Sequence, residues 1–345
     1  MSQTDGSILC PAGVNNVVGL KPTAGLVSRD AVIPVSYKQD TVGPFSRTVK
    51  DSAYILAQIA GKSQRDPRTD DIPFDTIPDF AKSCQGTDLN GIRIGVPRNA
   101  FPGIGSVENE AFTRALETLS QAGAQIIEDT NLLAAEEYQA LPESVQYMVQ
   151  HAAFEVTIGN YLKSLETNPN NIHTLQDMID YTKAQDEEDY PARNVAKFEN
   201  SQTVDTDSQE YKDAVAREEY ITGDGGIIGA LKRHNVDVLV VPTDAHTAVT
   251  FAARAGSPAI SVPLGFLPPD TPIKKGKSDL VLSGPNIPYV VHLVGRSSLI
   301  IHRFSICFFA ERYAEQMLIR VAYAFEQLTN VRSRGQPYKV PKTEL

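Results

Sequence analysis

Ile92-Arg93-Ile94-Gly95-Val96-Pro97 alternates apolar and polar residues into a proline, and a turn rich in Gly leads from it to a run from Ser106 to Gln121. The first stretch predicts a strand. The second predicts a helix capped by Ser106, with Glu108 and Glu110 in its first turn, where the helix dipole favours carboxylates. Gly123 stops that helix, and Ala124 to Ile127 begins another short strand. Strand, helix and strand at this spacing form a βαβ unit, which predicts an α/β sheet protein.

On the amino-terminal side, Thr48 to Ala60 reads as a helix because Val49, Ala53, Leu56 and Ile59 fall at helical spacing and Gly61 supplies the stop. Before it, Asn16 to Leu20 and Ala31 to Val35 are short apolar runs that suit buried strands and tight turns. Residues 62–81 carry many Asp and Pro residues and predict an exposed loop. On the carboxyl-terminal side, Glu136 to Arg233 is polar and mostly helical, with loops near Asn168-Pro169 and Thr203 to Ser208. Val236 to Pro242 and Ser257 to Pro263 predict buried strands, and Ala310 to Leu328 predicts an amphipathic helix.

The chain has 345 residues, 41% of them apolar, enough for one large α/β domain or two small ones. Its formal charge of −10 gives no reason to expect nucleic acid or an anionic membrane as partner. Cys10, Cys84 and Cys307 are few, odd in number and widely spaced, which reads as a reduced set without zinc spacing. Six histidines show no paired spacing for a metal. No signal-peptide pattern opens the chain, and no apolar run is long and clean enough to span a membrane. The expectation is a soluble, cytoplasmic protein with no cofactor.

Chemistry concentrates in Thr4-Asp5-Gly6-Ser7-Ile8. A Gly followed by Ser in a polar turn can set a hydroxyl where successive backbone N–H groups converge, a nest suited to an oxyanion. Alone, such a turn is common in ordinary loops. In its surroundings it resembles the amidase signature. The register runs from Thr4 to Thr23, through Gly25-Leu26-Val27-Ser28-Arg29, Asp40 to Pro44 and Arg47 to Asp51, and returns in Pro242-Thr243, Gly256 to Gly265 and Ala322 to Gln327.

That resemblance implies an α/β/α sandwich around a mixed, twisted sheet, incomplete at its amino-terminal side, with 1–345 forming the carboxyl-terminal portion of a single amidase domain. It implies hydrolysis of a small-molecule carboxylic amide through an acyl ester on Ser7. The oxyanion hole would be the backbone N–H groups of Thr4, Asp5, Gly6 and Ser7. No cofactor or metal is implied, and a homodimer fits the family. In the family a serine in a cis peptide relays the nucleophile's proton to a neutral lysine. Both lie upstream of the nucleophile, in a part of the domain absent from this chain, so the polypeptide alone is expected to be nearly inactive.

The family usually has Gly-Thr-Glu or Gly-Thr-Asp where Met1-Ser2-Gln3 stand, so the resemblance is expected to fade at about Thr4. Lys21 matches no base position and predicts a structural or solvated role. Cys10 predicts a small buried core residue. Asp244 and His246 allow a Ser-His-Asp triad with Ser7 to be drawn from residue type alone, a weaker reading. Residues 290–307 depart from the family and are expected to be a foreign insertion or an unspliced intron disturbing a sheet edge near the substrate side. Two rivals stand beside the amidase: a glutamyl-tRNA amidotransferase A-type glutaminase with partner subunits, and a non-catalytic remnant of the fold.

Overall fold

The computed structural model describes residues 1–242, 245–268, 270–275, 281–283 and 305–334. Strand β1 (Ser2–Gln3) leads through the Thr4–Ser7 turn into helix α1 (Leu9–Val14), which hands over to β2 (Val18–Lys21). Strand β3 (Thr41–Val42) pairs antiparallel with β1, and β4 (Phe45–Ser46) pairs with β2. Helix α2 (Val49–Ile59) follows, then β5 (Arg93–Gly95), α3 (Ser106–Gln121) and β6 (Gln125–Ile127).

The expected βαβ unit is present: Arg93, Ile94 and Gly95 lie parallel to Gln125, Ile126 and Ile127. Its helix begins differently from the expectation. Gly105 occupies the cap and Ser106 is already helical, with no side-chain cap bond. At the other end Gly123 takes φ +100°, and the Ala124 N–H donates back to the Leu119 carbonyl at 3.1 Å. That left-handed residue closes the helix as the sequence predicts. In α2, Thr48 caps the helix by accepting from the Asp51 N–H at 3.1 Å, and Val49, Ala53 and Leu56 turn inward.

Seven helices, α4 (Ala135–Ala140), α5 (Glu143–Gln146), α6 (Met148–Ser164), α7 (Leu175–Ala184), α8 (Ala196–Gln202), α9 (Gln209–Thr222) and α10 (Ile227–His234), fill the polar middle of the chain. Part of it has a small core of its own, built on Ile158, Leu162, Leu175, Ile179 and Val195. The chain then re-enters the sheet with β7 (Val238–Pro242), continues through α11 (His246–Arg254) to β8 (Ala259–Pro263), and passes the short pair β9 (Lys274–Lys275) and β10 (Val281–Ser283). It ends on β11 (Ser305–Phe309) and α12 (Glu315–Thr329).

Among the described residues the main sheet has seven strands in the order β4-β2-β8-β11-β7-β5-β6. β11 runs antiparallel to both of its neighbours, β8 and β7, whereas β7, β5 and β6 run parallel, so the sheet is mixed. Register and pleat separate its faces. Gly19, Ser261, Cys307 and Val241 stand opposite one another across four strands. A Cβ at Gly19 would lie 2.6 Å from Ala12 Cβ and 2.9 Å from the Ile8 carbonyl oxygen, so α1 rests directly on this face of small residues. The alternate row, Leu20, Ile260, Phe308 and Val240, faces the other way. There Phe308 meets Phe325 of α12 edge to face at 5.9 Å. Both faces carry helices, giving the α/β/α sandwich.

Three expectations need correction. Ala31 to Val35 forms no strand; Ile33 is 64% exposed, and the N–H groups of Val35 and Ser36 donate to the Asp40 carboxylate instead of to a neighbouring strand. Residues 62–81 are irregular but not exposed throughout, since Ile72 and Phe80 are buried and Pro67–Asp71 forms a 3-10 turn. The last helix starts at Glu315 rather than Ala310. Of the suspected foreign stretch, 290–304 lies outside the described residues. Its last three residues, Ser305, Ile306 and Cys307, are the start of β11 at the middle of the sheet, not at an edge.

Candidate active site

Ser7 is exposed at the end of a turn whose geometry is set from both sides. Gly6 takes φ +102°, a left-handed conformation that strains other residues, and a Cβ there would lie 2.9 Å from Cys10 Sγ. Glycine at this position lets the chain reverse into α1 immediately after presenting Ser7. Cys10 is only partly buried and packs against this turn, rather than lying in the core.

Gln3 holds the start of α1. Its Oε1 accepts the N–H groups of Ile8 at 2.8 Å and Leu9 at 3.1 Å, two donors of the first helical turn that have no partner within the helix. The residues before Thr4 thus belong to the turn's architecture, contrary to the expectation that the pattern fades there. Gln3→Leu removes this acceptor and is expected to cost about 1–3 kcal/mol of unfolding free energy. Urea unfolding checks it; an unchanged midpoint and slope would remove Gln3 from the account.

Upstream of those two donors the pattern changes. The backbone N–H groups of Thr4, Asp5, Gly6 and Ser7 donate to no acceptor among the described residues. Four successive unclaimed donors therefore precede an exposed hydroxyl. The loop that carries them is pinned at its side chains. Thr4 Oγ1 donates to Asp40 Oδ1 at 2.6 Å, while Asp40 Oδ2 accepts from Val35 and Ser36. Burial pushes the Asp40 carboxyl up, and those hydrogen bonds oppose the shift.

Behind the turn lies a buried polar group that residue spacing does not announce. Both carboxylate oxygens of Asp5 are buried without a hydrogen-bond partner among the described residues. Arg254, at the end of α11, pairs with Glu218 at 2.7 Å and donates to Tyr138 Oη at 3.0 Å. Burial drives the Tyr138 and Tyr147 phenols far up, and the Asp5 charge adds to both shifts. These tyrosines stay neutral donors across any ordinary pH.

The other candidates are brought elsewhere. Lys21 is fully buried, so it is structural rather than solvated. Its Nζ donates to the carbonyls of Ser257 at 2.7 Å and Pro22 at 3.1 Å. Burial pushes its amine down to about 7. His246 Nε2 shares a hydrogen bond with Tyr147 Oη at 3.1 Å rather than with Ser7. Asp244 lies outside the described residues. No lysine, histidine or carboxylate among the described residues is hydrogen bonded to Ser7 Oγ.

Comparison with known proteins identifies the family. The family model described as "Amidase" matches residues 2–273, so the match already includes Ser2 and Gln3. A protein of Arthroderma benhamiae named "Putative amidase" is 38% identical across all of this chain, which covers 55% of that relative. The A-type chain of the Lysinibacillus sphaericus glutamyl-tRNA(Gln) amidotransferase is 27% identical over 95% of this chain and 62% of its own length. The structure of native peptide amidase from Stenotrophomonas maltophilia superposes with a TM-score of 0.75 at 27% identity, over 99% of this chain and 63% of that one. The chain spans about half the length of the curated relatives it matches first. On the family match, the whole-length likeness and the shared sheet architecture, this chain belongs to the amidase family.

Proposed function

We propose that the chain carries the acyl-accepting half of an amide hydrolase, with Ser7 as nucleophile and the N–H groups of Thr4, Asp5, Gly6 and Ser7 as its oxyanion hole. The carrying observation is the run of four unclaimed backbone donors that ends on an exposed serine. Attack by Ser7 Oγ on an amide carbonyl moves negative charge onto the carbonyl oxygen. Fixed N–H dipoles in such a nest stabilise that charge without rearranging. Collapse of the tetrahedral species expels the amine and leaves an ester on Ser7, which water hydrolyses to the acid.

The hydroxyl still needs a proton acceptor, and no described residue stands in that role. We infer that turnover by this polypeptide alone is slow and that an added base is what the site requires. Acyl transfer is nonetheless expected from a reagent with a good leaving group. Incubation with an activated short-chain ester should place one acyl group on Ser7, read by intact mass and peptide mapping. Ser7→Ala should take up none. Acylation of Cys10 with Ser7 untouched would overturn the assignment.

The whole-length likeness to the Arthroderma benhamiae relative is greater than that to the amidotransferase chain, 38% against 27%. It favours a free-standing amidase over a glutaminase working within a larger assembly.

A further inference from the structure

A second polar cluster gathers where β2 ends and β8 begins. Val249 of α11 packs against Gly6 in the Ser7 turn. Lys21 and Phe309 pair with Ala259, the first residue of β8, and Arg312 and Tyr313 follow three and four residues after Phe309. The loop after β2 is fastened here. The Thr23 N–H donates to Glu315 Oε1 at 2.8 Å, the Tyr313 N–H donates to Thr23 Oγ1 at 2.8 Å, and the Ala24 N–H donates to the Gly256 carbonyl at 3.1 Å. Gly25 lets the backbone of Arg68 pass: a Cβ there would lie 2.6 Å from the Arg68 carbonyl oxygen. A Cβ on Gly256 would lie 4.0 Å from Arg312 Nε.

Two arginines are thus brought to one loop, and neither finds a carboxylate. Among the described residues, Arg68 and Arg312 side chains make no hydrogen bond and no ion pair. Their Nε atoms are both buried without a partner, as are Tyr313 Oη, Ser257 Oγ and Glu315 Oε2. The Arg312 guanidinium stands 5.4 Å from the Tyr313 ring centre. Tyr313 itself holds φ +64°, a conformation that a bulky residue adopts only when its surroundings impose it.

Like charges act on Arg68. Burial and the Arg312 charge both lower the Arg68 guanidinium, with Arg29 adding to the repulsion and Asp71 opposing it. Glu315 is a buried acid at the start of α12, and burial pushes its carboxyl up, just as burial pushes Lys21 down to about 7. The Asp66 carboxylate beside Arg68 is taken by Arg29, and neither Arg68 nor Arg312 forms an ion pair among the described residues. Buried arginine N–H groups without acceptors are costly, and a guanidinium presents its N–H groups in a fork that suits a carboxylate or phosphate. Both arginines are only partly buried, so a solute can reach them.

We propose that Arg68, Arg312 and Tyr313 form a binding site for a small free oxyanion, a carboxylate or a phosphate, beside the loop after β2. The bound anion would bridge the 3-10 turn at Pro67–Asp71 to the start of α12 and so brace the loop after β2.

Thermal unfolding tests this at constant ionic strength with sodium phosphate, sodium acetate and sodium chloride. Phosphate or acetate should raise the melting temperature saturably, and chloride should not. A response to acetate alone identifies a carboxylate site; a response to phosphate alone identifies a phosphate site. Arg68→Gln and Arg312→Gln should each raise the half-saturating concentration about tenfold or more. Tyr313→Phe removes only a hydroxyl and should weaken binding a few-fold, which keeps the test decisive where an arginine variant fails to fold. Equal shifts in wild type and Tyr313→Phe together with either arginine variant, or no shift with phosphate and acetate, would overturn the proposal. Ser7→Ala should bind the anion as wild type does, so this outcome is independent of the catalytic reading.

Discussion

Phosphonylation of Ser7 by a fluorophosphonate is expected to accelerate about tenfold per pH unit from about pH 6 to about pH 9, without a plateau, and to vanish in Ser7→Ala. The physical reason is the empty role beside Ser7 Oγ. With no base in hydrogen-bond contact among the described residues, the reactive alkoxide forms in proportion to hydroxide. A positioned base would break the line at its own pKa, because above that point the base is fully available. The break would also identify its owner. Lys21, lowered to about 7, would produce a plateau above neutrality, but its Nζ is committed to the Ser257 and Pro22 carbonyls. A plateau near pH 7 that disappears in Lys21→Met would therefore overturn the assignment of Lys21 as structural. A plateau that survives it would place the base elsewhere.

The second large effect concerns stability. The unfolded chain holds the Lys21 proton up to its ordinary value of 10.5, while burial makes the folded chain release it near 7. Between those values the unfolded state binds more protons, so unfolding free energy rises with pH. Below about pH 7 the lysine is charged in both states and the cost of burying it acts in full. The interval is worth up to roughly 5 kcal/mol at 1.4 kcal/mol per unit of pKa. Lys21→Met keeps the length of the side chain and removes the proton. Wild type is therefore expected to gain about 3–5 kcal/mol relative to Lys21→Met between about pH 7 and pH 10. The Glu315 carboxyl, raised by burial, works in the other direction from its ordinary 4.5 upward, and it is present in both proteins. Urea unfolding at three pH values decides the matter; parallel pH profiles for the two proteins would show that Lys21 is not desolvated as described.

Local patterns foretell the elements well, because cap, stop and periodicity are properties of neighbouring residues. The βαβ unit, α2, β7 and β8 are all of this kind. What they miss is whatever depends on partners far along the chain. Ala31 to Val35 has the composition of a strand, yet Asp40 claims the N–H groups of Val35 and Ser36. Gln3 reads as a departure from the family, yet an amide oxygen accepts helix N–H groups as a carboxylate would. At the site, Gly6-Ser7 is legible as a turn, but only the family resemblance sets it apart from an ordinary loop. The Arg254, Glu218 and Tyr138 group is not, because three separate helices meet only in the folded chain. Arg68 and Arg312 lie 244 positions apart in the numbering (312 − 68), so no window along the sequence joins them.

β11 lies between β8 and β7, and these two strands touch β11 rather than each other. Among the described strands of the main sheet, it is the last to be translated. Until Ser305–Phe309 leaves the ribosome, β4-β2-β8 and β7-β5-β6 are two separate ribbons, each with an open edge of unpaired backbone. Closure of the sheet therefore waits for nearly the whole chain, and the long-range pairings it requires make folding slow. A nascent chain stopped before Ser305 would expose two sticky edges at once, the state in which this protein has most need of a chaperone.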